Sequence, residues 1–303
     1  MLGSSRGASL VPVVTVRKPP AWIGPVLVLA TAVLVVAAFA LTRSLTAQTV
    51  ADNSVPSGTG PSGAGSALAR HPAVPSAATG ALFTRPDGHL NQHFCTASVV
   101  ASKHGDVLIT AAHCVTGVSL SPAGSIVFAP GYADGRFPSG LWAVTRSFVA
   151  AQWSADQDAD EDVAFLVVRR LTGPGVPASQ VPPDTTLQRA VGADRLRFDA
   201  PLPTMIRAIG YPDGSGAPVS CVTMAVAFRP GSLDQVKFVC PGFTDGTSGG
   251  PFLSDFSHAA GTGAIIGVIG GYQQGGDSPS ISYSSAFSAV IKSLYQHVLR
   301  VTG

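Results

Sequence analysis

Beyond residue 80 the chain alternates between short apolar stretches of strand length and polar turns, without helical segments between them. Alternation of apolar and polar residues is typical of a strand with one buried face, and a short continuous apolar run is typical of a strand buried on both faces. We therefore predict an all-β fold. The clearest strand candidates lie at 93–101, 107–111, 141–150, 205–209 and 264–269.

The last apolar pattern of the chain has a different period. Phe287, Val290, Ile291, Leu294 and Val298 recur at helical intervals, which places their side chains on one face. We predict a single C-terminal helix that packs this face against the strands. A helix that docks on a partner protein is the alternative.

The N-terminal segment has neither pattern. A tail with basic residues, 1–20, is followed by an uncharged and largely apolar run at 21–42. Such a run is long enough to cross a membrane, and the positive charges favour an orientation that leaves the tail in the cytoplasm. We predict an uncleaved signal anchor that holds the protein at the membrane. A signal peptide cleaved near Ala40 or Ala47 is the alternative, and it would make the protein secreted.

The next segment, 48–79, is rich in Ser, Gly, Ala and Pro and contains almost no large apolar side chains. It cannot bury enough surface to offset the entropy of ordering it. We predict a disordered linker here, followed by one folded domain at 80–303.

Composition narrows the possible functions. Only 12% of the 303 residues are charged, the net charge is +2 and no basic cluster is present, which argues against a nucleic-acid partner. The 34 glycines and 24 prolines fit many strands joined by turns. The cysteines do not form C-x-x-C pairs and the histidines are scattered, so the sequence predicts no metal ion and no other cofactor.

A glycine-rich turn around Ser248 is the first candidate for chemistry. In the segment GTSGGP (246–251) the glycines permit a tight turn, in which the backbone N–H groups of Gly246 and Ser248 converge beside the hydroxyl. Such a point can hold a developing oxyanion. Serines between glycines are also common in ordinary turns, so this segment alone does not separate a nucleophile from a loop residue.

Two earlier segments supply the base and the acid that a serine nucleophile needs. His113 lies in TAAHC (110–114), after an apolar strand and two small residues that allow its ring to face inward. Asp162 opens the apolar run DVAFLVV (162–168), which places its carboxylate at the end of a buried strand. The acidic residues just before it are predicted to lie on a solvated loop: Asp156, Asp158, Asp160 and Glu161.

The segment GTSGG also satisfies the G-x-S-x-G elbow of α/β-hydrolases, which would make the chain an esterase. That fold places its acid and its histidine after the serine, among alternating strands and helices. Acidic residues and histidines do follow Ser248, but the stretch lacks that alternation. The order in which His113 and Asp162 precede Ser248 favours a serine peptidase instead.

In order and in flanking residues, TAAHC, DVAF and GTSGGP resemble the corresponding segments of the chymotrypsin-like serine peptidases, over residues 80–303. Further segments, FCTASVV (94–100), FAPGYADG (128–135) and AIGYP (208–212), are similar to those of bacterial trypsin-like peptidases related to the glutamyl endopeptidases. The resemblance implies two antiparallel β-barrels with a catalytic cleft between them. It assigns His113 as general base, Asp162 as its orienting partner and Ser248 as nucleophile.

All four cysteines follow the N-terminal segment, which suits a compartment that permits disulfides. The resemblance implies that Cys95 pairs with Cys114 and so braces His113. Free buried thiols are the alternative.

The second cysteine pair follows from the strand pattern. Predicted strands at 219–228 and 234–240 flank a turn, and folding about that turn sets Cys221 opposite Cys240. A cross-strand disulfide is sterically plausible there.

Thr247 stands where activated trypsin-like enzymes have an aspartate that pairs with a newly freed N-terminus. No I-V-G-G activation sequence precedes the strand near Ala81 either. We predict that activity does not require that ion-pair switch. Cleavage in the linker would then release the domain without assembling its site.

The substrate pocket departs from both specificities that the resemblance suggests. Gly242 stands where trypsin has its pocket aspartate, and IGVI (266–269) lacks the histidine of the glutamyl endopeptidases. Asp245, at the predicted rim, would favour a basic side chain or caps its own turn. The predicted pocket wall, which favours small or apolar side chains, consists of Ile269, Gly270, Gly271 and Tyr272.

These features together predict an extracytoplasmic serine endopeptidase, with a monomeric catalytic domain, that cleaves proteins or peptides through an acyl-enzyme intermediate. The presence of all three triad residues favours an enzyme over the alternative. That alternative is a catalytically inert protein of the same fold that binds partners at the cell surface.

Overall fold

The structure is a computed structural model that describes residues 71–72, 76–121 and 124–302. They all belong to the second of two compact units, which spans 65–303. The predicted tail at 1–20 and the predicted membrane segment at 21–42 lie outside the described residues. Within the described part of the chain, no helix is long and apolar enough to cross a membrane.

The end of the predicted linker belongs to the folded unit. Strand β1 (His71–Pro72) pairs with residues 219–220, and Ala78 and Thr79 are completely buried. The folded structure therefore includes residues before Gly80. The rest of the predicted linker, apart from residues 76–77, lies outside the described ranges.

Six strands of the first half form a closed antiparallel barrel: β2 (Thr79–Thr84), β3 (His93–Val100), β4 (Val107–Thr110), β5 (Ile126–Pro130), β6 (Trp142–Val149) and β7 (Ala164–Arg170). They follow one another around the barrel in the order β2-β3-β4-β7-β6-β5. Every residue of β4 and β5 is buried, as expected of continuous apolar runs. A short helix, α1 (Ala151–Asp156), follows β6.

The second half is an eight-stranded sheet that contains β1 and seven further strands: β8 (Arg195–Leu196), β9 (Thr204–Gly210), β10 (Val219–Phe228), β11 (Gln235–Val239), β12 (Pro251–Ser257), β13 (Thr262–Val268) and β14 (Ile281–Ser285). Their order is β14-β11-β10-β9-β12-β13-β8, with β1 beside β10. Helix α2 (Leu187–Val191) precedes β8. The all-β prediction is confirmed.

The second half does not close into the second barrel that the resemblance implied. Strands β13 and β14 are not joined by a hydrogen-bonded ladder. Two separate contacts link their ends instead: Val268 N–H donates to Ser284 Oγ at 2.9 Å, and Gly270 N–H donates to the Tyr283 carbonyl at 3.0 Å. At this seam the Ser284 hydroxyl stands in for a backbone acceptor, and the sheet remains open.

The C-terminal helix is α3 (Ala289–Val301), two to three residues later than the predicted 287–298. It begins there because the Ser288 hydroxyl accepts the N–H groups of Val290 and Ile291 and so caps the first turn. Ile291 and Val298 are fully buried in one cluster with residues of both halves. The predicted apolar face therefore packs against the strands.

Both predicted disulfides are present, Cys95–Cys114 and Cys221–Cys240, with Cα–Cα distances of 6.2 and 6.5 Å. The register predicted for the second pair was wrong by two residues. The ladder pairs Val226 with Lys237, whereas the predicted register would have paired Val226 with Gln235.

Candidate active site

Asp162 and His113 are joined by two hydrogen bonds. The carboxylate is completely buried, its Oδ2 lies 2.8 Å from Nδ1 of His113, and its Oδ1 accepts the His113 backbone N–H at 2.9 Å. The N–H of Gly271 also donates to Oδ2, at 2.8 Å. Within the described residues, Nε2 of His113 makes no hydrogen bond. The carboxylate thus holds the ring in one orientation and leaves Nε2 able to accept a proton.

The barrel register explains why these two residues meet. Thr110, the last residue of β4, lies opposite Ala164, the first residue of β7. The chain beyond Thr110 and the chain before Ala164 therefore leave the barrel at the same edge. His113 follows β4 by three residues, and Asp162 precedes β7 by two.

The turn before Asp162 is not the solvated loop that its charges predicted. Glu161 ends the 3₁₀ turn Ala159–Glu161 and is 6% exposed, and its Oε1 accepts the Ser288 hydroxyl at 3.0 Å. Burial raises the pKa of this carboxyl group. Asp160 is half-buried and accepts hydrogen bonds from the Gln235 amide of β11 at 2.6 Å and from the backbone N–H of Asp234, just before that strand, at 2.9 Å. The prediction holds for Asp156, which is exposed.

The turn that carries Ser248 packs against the barrel. The Ser248 carbonyl accepts the N–H of Thr96 at 2.7 Å. Thr96 follows Cys95, and the disulfide joins Cys95 to Cys114, the residue after His113. Ser248 and His113 are therefore both fixed close to the same covalent link.

Gly249 shows how closely the turn approaches the barrel. Its φ is +81°, and a Cβ there would lie 2.1 Å from Oγ1 of Thr110 and 2.2 Å from the Thr96 carbonyl oxygen. Only glycine fits at this distance.

Three polar groups on this turn make no hydrogen bond within the described part of the chain: the N–H of Gly246, the N–H of Ser248 and the hydroxyl of Ser248. The φ of Gly246 is +85°, and a Cβ there would lie 2.4 Å from Oδ1 of Asp213. The turn therefore carries two backbone N–H donors without an acceptor next to the Ser248 hydroxyl.

Thr247 stabilises the turn from inside. It is 2% exposed, and its hydroxyl donates to the Thr244 carbonyl at 2.7 Å. Its backbone N–H donates to the same carbonyl at 3.1 Å. The buried side chain thus satisfies its polar group within its own turn.

A pocket of about 280 Å³ opens beside Ser248. Its lining comes from the turn at 243–248, from Ile269 and from the connection 274–279 between β13 and β14. Two exposed carboxylates, Asp245 and Asp277, belong to the lining, which contains no Lys, Arg or His. The pocket therefore lies where the second sheet stays open, and its charge is negative.

Comparison with known proteins identifies the family. A family model for trypsin matches residues 70–291, which is most of the chain. The chain belongs to the trypsin family. No match was found among curated protein sequences.

Solved structures of bacterial serine proteases share the trypsin-family fold. Protease Anisep from Arthrobacter nicotinovorans is 23% identical, with a TM-score of 0.60 over 77% of this chain and 100% of that one. The thermostable serine protease AL20 from an extremophilic microorganism is 26% identical, with a TM-score of 0.57 over 74% and 98%. A Glu endopeptidase is 18% identical, with a TM-score of 0.53 over 75% and 92%. The chain is thus a chymotrypsin-like serine endopeptidase related to bacterial enzymes.

The six residues that the sequence assigned to the trypsin-family pocket separate into two groups. Asp245 and Ile269 line the pocket. Gly270 and Gly271 instead approach Asp162, where a Cβ on Gly270 would lie 3.0 Å from Oδ2 and where the Gly271 N–H is bonded to the same oxygen.

The other two predicted pocket residues also lie outside the lining. Tyr272 packs edge-on against the rings of Phe228 and Tyr283, with centroids 5.4 and 5.1 Å away. The N–H of Gly242 donates to the Pro279 carbonyl at 2.8 Å, next to the lining.

The connection 274–279, which supplies half of the pocket lining, was not predicted from the sequence. Its residues, QGGDSP, are typical of any turn. Gly275 and Gly276 have φ values of +108° and +122°, so the segment needs glycine at both positions. The only feature that could have pointed to a role in the pocket was its place between the last two strands of the sheet.

One group in the described residues has metal-ligand spacing: Cys95, His113 and Cys114. The two sulfur atoms are bonded to each other, so they are not free to bind a metal ion.

Proposed function

We propose that this chain is an extracytoplasmic serine endopeptidase that cleaves peptide bonds through Ser248, His113 and Asp162. The observation that carries this proposal is the buried Asp162 carboxylate, bonded at 2.8 Å to Nδ1 of a histidine whose Nε2 is free. The hydroxyl of Ser248 completes the set that acyl transfer requires. The turn that carries it is hydrogen-bonded to Thr96, next to the Cys95–Cys114 disulfide that also holds the segment of His113.

In the proposed reaction, Oγ of Ser248 attacks the substrate carbonyl carbon while Nε2 of His113 takes the hydroxyl proton. Asp162 holds the ring and stabilises the imidazolium that forms. His113 then gives the proton to the leaving amine, and water releases the acyl group from Ser248 by the same route. The hydrogen bond between Ser248 and His113 forms in the substrate complex, as catalytic contacts commonly tighten there.

The N–H groups of Gly246 and Ser248 stabilise the oxyanion in this reaction. Both are without another acceptor in the described residues, so they need not break a bond to act. The Thr247 hydroxyl donates to the Thr244 carbonyl at 2.7 Å, so the turn that carries these N–H groups is held without an ion pair at this position. We therefore propose activity without a newly freed N-terminus.

The compartment follows from the cysteines. All four are paired in two disulfides and none is free, as in proteins exposed to oxidising surroundings. We propose that the N-terminal segment 21–42 anchors the chain, or is cleaved, with the catalytic unit outside the cytoplasm.

We further propose that the pocket prefers a basic side chain before the cleaved bond. Asp245 and Asp277 are the charged groups of its lining, and no cation of the lining neutralises them. Both carboxylates are exposed, so the expected preference for Arg and Lys over neutral residues of similar size is modest, about tenfold in kcat/KM.

Digestion of a denatured protein by the full chain tests both proposals, with the cleavage sites read by mass spectrometry. We expect cleavage by the native chain and none by Ser248→Ala. Enrichment of Arg and Lys before the cut should disappear in the double variant Asp245→Asn, Asp277→Asn. Asp199→Asn is the matched control, since this side chain is 93% exposed and outside the pocket. Cleavage after acidic residues alone would contradict the pocket proposal.

A further inference from the structure

A completely buried glutamine, Gln235, stands at the start of β11. Buried amide side chains are costly unless each of their polar atoms finds a partner. No sequence motif includes this residue. Its partners belong to two segments that hold Asp162.

The Gln235 amide makes three hydrogen bonds. Its Nε2 donates to the Ala159 carbonyl at 3.1 Å and to Oδ1 of Asp160 at 2.6 Å. Its Oε1 accepts the N–H of Tyr272 at 2.9 Å. A backbone carbonyl must face the nitrogen and a backbone N–H must face the oxygen, so these partners fix the orientation of the amide.

The two segments that Gln235 joins both determine the position of Asp162. Ala159 and Asp160 belong to the turn that directly precedes Asp162, before the chain enters β7. Tyr272 follows Gly271, whose N–H donates to Oδ2 of Asp162 at 2.8 Å. The Gln235 side chain therefore links the turn that precedes Asp162 to the segment whose Gly271 N–H donates to the Asp162 carboxylate.

The Gln235 amide lies so close to Gly271 that no side chain would fit at that position. The φ of Gly271 is +74°, and a Cβ there would lie 2.2 Å from Oε1 of Gln235. The Ser285 hydroxyl gives the turn one more fixed point, since it donates to the Ala159 carbonyl at 2.9 Å. A change at Gln235 would therefore be transmitted to Gly271 and to the turn together.

We propose that Gln235 is a positioning residue that holds the Asp162 carboxylate against His113. This inference rests on the proposed function, in which Asp162 orients the catalytic base. Gln235 contacts neither substrate nor His113. It acts through the turn at 159–161 and the Gly271 N–H, and displacement of the carboxylate loosens the orientation of the imidazole ring.

The test compares Gln235→Met, which keeps the length of the side chain and removes its hydrogen bonds, with the native full chain. We expect kcat on a small ester to fall about 10- to 100-fold, because small misplacements of catalytic groups have effects of that size. KM should change less than about twofold, since no substrate contact is lost. The far-downfield proton resonance of the His113 Nδ1–H should shift or broaden, because it reports the bond to Asp162 directly.

Gln188→Met is the matched control. Gln188 is a partly buried glutamine whose side chain, like that of Gln235, accepts a backbone N–H, that of Ser102 at 3.0 Å, and its amide contacts no residue of the site. We expect its kcat and resonance to equal those of the native chain. A folded Gln235→Met variant with native kcat and native resonance would overturn the proposal.

A second variant decides the matter if Gln235→Met does not fold. Asp160→Ala removes the acceptor at 2.6 Å from a side chain that is only half-buried. It should lower kcat and move the resonance in the same direction, by a smaller amount. Native values in Asp160→Ala would then overturn the proposal. If the native chain lacks hydrolytic activity, the proposed function fails, while the resonance still tests the role of Gln235.

Discussion

The two halves of the described unit differ in whether their strands close. The barrel half closes through six ladders, and its edge supplies His113 and Asp162. The sheet half stays open between β13 and β14, and the connection across that opening lines the pocket beside Ser248. Closure thus holds the two residues of the proposed catalytic pair together, whereas the proposed substrate pocket lies at the opening.

The two halves also differ in the side chains that their strands bury. Strands β4 and β5 of the barrel are buried along their whole length. Strand β14 of the sheet contains three buried serines, Ser282, Ser284 and Ser285. At the seam the Ser284 hydroxyl accepts the Val268 N–H at 2.9 Å, whereas the Ser285 hydroxyl donates to the Ala159 carbonyl of the turn before Asp162. One polar side chain thus supplies an acceptor at the open seam, where backbone pairing supplies it in the barrel.

The largest expected effect comes from the closed half. Asp162→Asn keeps the shape of the side chain, but the amide cannot accept the Nδ1 proton as the carboxylate does. We expect kcat to fall about 10⁴-fold, as for the equivalent change in a Ser-His-Asp triad. Steady-state hydrolysis of a small ester measures it.

Asp156→Asn is the control for that variant, because Asp156 is an exposed carboxylate at the end of α1. It should leave kcat unchanged. Equal activities of Asp162→Asn and Asp156→Asn would show that the barrel edge does not supply the catalytic acid.

The second prediction concerns the contact between the halves. Asp194 is completely buried, its backbone pairs with the end of β3, and its Oδ1 accepts the Gly263 N–H of β13 at 2.8 Å. Burial raises its pKa from 3.8 to about 7. The folded state therefore binds the proton more tightly, and the stabilisation is complete below pH 4 and is lost as the pH rises through 7. The loss amounts to as much as about 4 kcal/mol.

Urea unfolding of the full chain at pH 5 and pH 8 measures this loss. The native chain should be less stable at pH 8. Asp194→Asn, which mimics the neutral acid, should reduce the difference and be the more stable of the two at pH 8. The same pH dependence in both chains would contradict a role for Asp194.

Many of the elements could be predicted from sequence, because they depend on local patterns. The strand periods, the face of the C-terminal helix and the glycine turn around Ser248 involve neighbouring residues. The partners of Asp160 and Glu161 could not be predicted in this way. Both have the charge of a surface loop, and their burial depends on Gln235 and Ser288, which are distant in the sequence.

The open seam was unpredictable for a similar reason. The apolar pattern of β13 fits a closed barrel as well as an open sheet. At the open seam the end of β13 meets a side chain of β14, the Ser284 hydroxyl, instead of a backbone acceptor, and the pattern of β13 does not show this. The pocket connection at 274–279 depends on the same seam, so both were missed together.

The smallest predicted effect tests that seam. Ser284→Ala leaves the N–H of Val268 buried without its acceptor, which should lower the free energy of unfolding by about 1–3 kcal/mol. Ser98→Ala in the barrel removes a buried contact to the Thr79 hydroxyl at 3.0 Å but no backbone partner. It should cost less, about 1 kcal/mol. Urea denaturation compares the two, and a larger loss for Ser98→Ala would contradict the contrast between the halves.

The central claim is that Ser248 is an activated nucleophile. Treatment of the full chain with a fluorophosphonate probe, followed by mass spectrometry of the labelled peptide, tests it most directly. We predict covalent labelling of the native chain at Ser248, slow labelling of His113→Ala and none of Ser248→Ala. A folded native chain that remains unlabelled would contradict the account and favour an inert protein of the trypsin family that binds partners.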